Sequence, residues 1–246
     1  MEIQKASEII TPKICGLVYA SPGSGKTVSL ALIKTKGKKL IIDIDKSSQV
    51  LRTKEAIENI EGLKENLENI DIIDIGLDIN KFLEVLDWLE QGAYKNYELI
   101  CLDNISELEN QMLTEYGRIS KNDGAPELLH YNRVQFKIVD YVRRLRALDT
   151  NKIITAWEDR QDVVYASGEK YTQSIPRLSG KSCDNICGLC NLVAKIEMGK
   201  EQRFFRLERT KETYAKDQIK GRKYCAITDL LYDESDVDKK KEEEDK

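Results

Sequence analysis

The chain has 246 residues, 41% of them hydrophobic and 33% charged, which supplies a sizeable core under a well-solvated surface. No apolar run approaches the roughly 20 residues of a membrane helix, and the N-terminal MEIQKASEIITPK has no apolar stretch of the secretory kind, so a cytoplasmic protein is expected. The formal charge of −4 lies wholly in the stretch 233–246, with eight acids against four Lys, and the remainder is balanced. A neutral body excludes binding of nucleic acid through global charge and leaves only local basic loops for it.

Apolar runs at 14–19, 40–43, 72–75, 99–102 and 153–156 predict strands, and their near-continuous apolar character predicts burial on both faces, as in a parallel sheet covered by helices. Helices are predicted near 26–35, 53–68, 79–90, 105–117 and 127–148. In the last, Tyr131, Val134, Ile138, Tyr141, Leu145 and Leu148 make one apolar stripe. Strands joined by helices imply right-handed βαβ units. Beyond residue 179, segments 191–197 and 203–208 flank Met198-Gly199-Lys200-Glu201-Gln202 and predict a hairpin closing the sheet. The fold class expected is α/β: one domain over 1–232 with a mostly parallel sheet flanked by helices and closed by an antiparallel hairpin. The tail 233–246 is too polar to fold.

The first predicted strand runs into Ala20-Ser21-Pro22-Gly23-Ser24-Gly25-Lys26-Thr27 and then the helical stretch, with Ser21 to Val28 as the expected nucleotide-binding residues. Strand, glycine-bearing loop and helix are the context that a P-loop requires. Gly23 and Gly25 permit backbone conformations in which successive N–H groups face one concavity, and the helix N-terminus adds partial positive charge. Lys26 would reach the β- and γ-phosphates of ATP, and the Thr27 hydroxyl would ligate Mg²⁺. Ala20 stands where the strict motif has Gly. Asp103, at the end of an apolar strand (ELICLD), supplies the second metal anion in the Walker B manner. The run LIIDID offers Asp43 and Asp45, which share a face in strand geometry, as water-activating bases.

Cys183, Cys187 and Cys190 fall at i, i+4 and i+7, a helix stripe on which Cys packs as a small hydrophobe. The same spacing is used for an iron–sulfur cluster, and it would also start a zinc site. Together with Cys15, Cys101 and Cys225 these are expected to remain thiols. His130, the single histidine, is read as structural, and Arg143, Arg144 and Arg146 as the wet face of the long helix.

With these residues in order, the chain resembles the RecA-type ATPase core, and more closely the phage-encoded P-loop proteins that include single-strand annealing proteins. The resemblance covers about 12–225 and rests on the P-loop, IIDID, LICLDNISEL, KIITAWED, GRISKNDGAPELL and SIPRLSGKS. It implies that Asp45 stands where such enzymes keep a catalytic Glu, and Glu158, at the end of the fifth strand, where they keep a γ-phosphate sensor. It implies two DNA-facing loops: 117–126 with Arg118 and Lys121, and 159–182 with Arg160, Lys170, Arg177 and Lys181. Tyr165 and Tyr171 would stack on bases there. It further implies that Arg209 and Lys211 act in trans on a neighbouring subunit's nucleotide, in a homo-oligomer. The function implied is a Mg²⁺-ATP hydrolase that binds single-stranded DNA in recombination, annealing or replication. The alternatives are a slow nucleotide switch recruiting a replication partner, and a P-loop small-molecule kinase.

Overall fold

A computed structural model describes residue 10 and residues 12–121, 123–164, 168–200 and 202–232. The acidic tail 233–246 and Tyr165 lie outside the described residues. In chain order the elements are β1 (Cys15–Ala20), α1 (Lys26–Leu32), β2 (Lys39–Asp43), α2 (Lys54–Asn59), α3 (Leu63–Leu67) and β3 (Ile70–Asp74). Next come α4 (Ile79–Glu90), β4 (Leu99–Asp103), α5 (Ile105–Arg118), α6 (Leu128–Ala147), β5 (Asn151–Val164) and β6 (Lys170–Pro176). The chain continues through α7 (Ser182–Leu189), β7 (Leu192–Met198), β8 (Arg203–Arg206), β9 (Lys216–Asp217) and β10 (Tyr224–Ala226).

The strands form one sheet in the order β10-β8-β7-β1-β5-β4-β2-β3, with β6 added to β5 and β9 to β7. All pairings from β7 across to β3 are parallel. The β7–β8 pair is antiparallel, so the expected C-terminal hairpin closes that side, and β10 extends it. The apolar runs are continuous because each face of the sheet has its own core. Leu17, Tyr19, Leu40, Ile42, Ile100, Leu102, Ile154 and Ala156 pack with residues of α4, α5, α6 and α7. Their sequence neighbours Val18, Ala20, Ile41, Leu99, Cys101 and Ile153 pack with Leu30 and Ala31 of α1, Ala56 of α2 and Leu63 of α3.

Several expectations are corrected. The predicted helix 53–68 is two short helices, because Gly62 sits in the left-handed region at φ 72° and breaks the run. The first helix stops at Leu32, since Ile33 is extended. The fifth strand does not end near Glu158 but runs on to Val164, and β6 folds back along it from Glu158↔Pro176 to Val164↔Lys170. Residues 159–182 are therefore not a loop but mostly a two-stranded arm; the β-branched and aromatic pairs Val163–Val164 and Tyr171–Thr172 favour pairing there. Gly117 and Arg118 belong to α5, and the connection after them folds tightly, with the Ser120 hydroxyl donating to the Ala125 carbonyl at 2.7 Å. Arg144 is not simply wet surface: it donates to Glu90 at 2.7 Å and Asp87 at 2.5 Å, bridging α6 to α4.

Candidate active site

β1 delivers the chain into the loop 21–25. Gly23 (φ 76°) and Gly25 (φ 87°) take the left-handed conformation that side chains disfavour. The Ser24 amide closes the turn on the Ser21 carbonyl at 3.3 Å, with Ala20 buried behind it, so Ala at the first motif position is compatible with a closed loop. Lys26 is folded back over the loop, its Nζ donating to the carbonyls of Ala20 (3.1 Å) and Ser21 (3.2 Å). Burial lowers the Lys26 pKa, while Asp103, Asp45 and Glu158 act in the opposite direction. Three of the four carboxylates singled out in the sequence therefore lie near one ammonium.

Asp103 ends β4 and is buried. The Thr27 hydroxyl donates to its Oδ2 at 2.6 Å and the Ser47 hydroxyl to the same oxygen at 3.0 Å. Because β5 lies between β1 and β4, Thr155 sits between the loop and the acid and donates to Asp103 Oδ1. Burial pushes the Asp103 carboxyl up; the hydroxyls of Thr155, Thr27 and Ser47 counter it, and Asp45 adds to the rise. The outcome is a carboxyl above the usual range, because burial penalises its charged form more than the hydroxyls stabilise it. Three hydroxyls around a carboxylate form an all-oxygen set, which fits Mg²⁺. Among the described residues no group of three His, Cys, Asp or Glu gathers as a metal site.

Asp43 and Asp45 do not share a strand face, since β2 ends at Asp43. Asp43 is buried and accepts from the amides of Ser47 (3.1 Å) and Ser48 (3.0 Å), so it holds the 3₁₀ turn 47–52. Asp45 is exposed, and accepts from Asn104 Nδ2 at 2.6 Å. Asn104 does double duty, since its Oδ1 caps α5 through the Glu107 amide at 2.8 Å. Glu158 accepts the Ser21 hydroxyl at 2.5 Å and pairs with Lys195 at 2.8 Å. Burial would raise its pKa, but hydrogen bonds from Lys195, Ser21 and Ser174 overcome that and hold it at about 2.

Other expected site residues fall elsewhere. Arg209 lies over the Tyr214 ring at 4.9 Å, and Lys211 pairs with Glu169 at 3.2 Å, so the contacts of both are away from their own chain's P-loop. Arg160 and Lys170 are exposed on the arm; Arg160 and Tyr171 line a cavity of about 470 Å³ that also touches Lys195, Ser174 and Thr213. Arg177 lies over Trp157 at 5.4 Å, Lys181 precedes α7, and Arg118 pairs with Glu115 at 3.2 Å. Lys121 is exposed. The three cysteines of the 183–190 stretch do not converge: Cys183 adjoins Cys187, whereas Cys190 turns to Cys15 of β1. His130 completes a capping box with Glu127 and stacks on Tyr116 at 5.3 Å.

Sequence reasoning missed Ser47, Asn104, Thr155 and Lys195. Only Lys195 left a signal, a single cation inside the otherwise apolar LVAKI. Among curated proteins no match is found. A family model described as an AAA domain matches residues 12–219, and the chain belongs to that family.

Proposed function

We propose that the protein is a Mg²⁺-dependent ATPase whose nucleotide state acts on the β5–β6 arm, with single-stranded DNA as the arm's partner in recombination, annealing or replication. The observation that carries the first part is the 2.6 Å contact between Thr27 and Asp103, which joins the P-loop hydroxyl to the Walker B carboxylate beside a buried Lys26. On nucleotide binding, Lys26 leaves the carbonyls of Ala20 and Ser21 for the phosphates, an exchange of neutral acceptors for charged ones. Thr27 and Asp103 would hold Mg²⁺, which neutralises developing charge on the phosphoryl oxygens. Asp45, oriented by Asn104, is the group that would accept the proton of the attacking water. Glu158 is ionised at neutral pH and is therefore no proton donor; bonded to Ser21 of the loop and rooted in the arm's strand, it would transmit the loop's state outward.

ATP turnover measured with and without single-stranded DNA tests both parts. DNA-stimulated hydrolysis that Lys26→Ala abolishes supports the proposal. Tight ATP binding with no turnover at any DNA concentration favours the slow switch, and phosphoryl transfer to a nucleoside monophosphate favours a kinase.

A further inference from the structure

Arg203, the first residue of β8, lies against the phosphate loop. A Cβ placed on Gly25 would meet its side chain at 3.1 Å from Nε and 3.3 Å from Cζ. Strand alternation explains the direction. Arg203 shares a face with Phe205, which is buried in the same core as Leu30 and Ala31 of α1. Phe204 and Arg206 face the other way, and Arg206 is engaged by Glu197 at 2.8 Å. Arg203 is exposed and donates no hydrogen bond to another described residue. A guanidinium held along glycine backbone beside a phosphate-binding loop, with no anion of its own, matches the fork geometry that grips phosphate oxygens.

We propose that Arg203 grips the phosphate chain of bound nucleotide from within the same chain, so that the β7–β8 hairpin forms the second wall of the site. This rests on the nucleotide-binding reading above. It gives the site a cation in cis, independent of Arg209 and Lys211. A Cβ at position 25, already disfavoured by the φ of 87°, would also require the Arg203 side chain to shift by a few tenths of an ångström.

Titration of the full chain with a fluorescent ATP analogue, and with the matching adenosine analogue, tests it. Arg203→Ala should weaken triphosphate binding by about 10-fold or more, the scale of a lost charge-assisted contact. Adenosine binding should change far less, and Arg203→Lys should restore part of the loss. Circular dichroism confirms that each variant is folded. Unchanged triphosphate affinity in Arg203→Ala, alongside a loss in Lys26→Ala, overturns the inference and leaves the nucleotide reading standing. No loss in either variant overturns both.

Discussion

Asp103 shows how a site carboxyl is kept buried at a cost to folding. Its carboxyl is raised by burial, so the ligand-free protein binds that proton more readily than the unfolded chain does. Stability from this group therefore falls as pH rises from the ordinary Asp range through the raised value. Asp103→Asn should melt higher than the wild type without ligand at neutral pH, and lose about 10²–10³-fold or more in ATP turnover. Thermal melts with and without Mg²⁺-ATP check both halves, and a lower melting temperature for the ligand-free variant would contradict the account. Glu158 has the opposite sign. Held at about 2, it contributes stability that is present above the usual carboxylate range and lost as pH falls toward that value. Glu158→Gln should flatten the acid-unfolding profile between the ordinary Glu value of 4.5 and about 2, measured by fluorescence against pH.

At the scale of elements, single changes can be ranked by the groups they touch. Arg144 bridges α6 to α4 through two partly exposed carboxylates. Arg144→Ala should cost about 0.5–1 kcal/mol in urea unfolding, less at high salt, as for other exposed ion pairs. Gly117→Ala should cost more. Its added Cβ would lie 2.2 Å from the Gly124 carbonyl oxygen, which is backbone, so the whole connection after α5 must move. The expected loss is about 1–3 kcal/mol, as for overpacking. The elements themselves were largely legible. The five apolar runs are strands, and the stripe in the 127–148 segment is α6, because burial on one or both faces writes itself into residue order. The arm was not. Asp159, Arg160, Gln161 and Asp162 read as loop because both faces of that stretch meet water, and a solvated pair of strands leaves no apolar period.

Across the whole molecule, the arm grows out of β5, the strand that also carries Thr155 to Asp103 and Glu158 to Ser21. Under the proposed function, chemistry at the loop and binding on the arm would share one strand, the physical basis for coupling them. Replacing residues 163–171 by a two-residue turn should leave basal ATP turnover within about twofold, as expected for a change away from the reacting groups, and remove its stimulation by single-stranded DNA. Retained stimulation would detach the arm from DNA. The sequence alone determined the phosphate loop, the acid strand and the layered α/β architecture, because each is written in local residue order: glycines where φ must be positive, and an acid ending an apolar run. Only the tertiary structure decided which carboxylate is buried and which exposed, and which distant cations come near the loop. Asp43 accepts from the turn amides and Asp45 from Asn104, while Lys195 comes beside Tyr19 of β1, and Arg203 beside Gly25, from strands more than 150 residues away, by sheet pairing that local sequence does not encode.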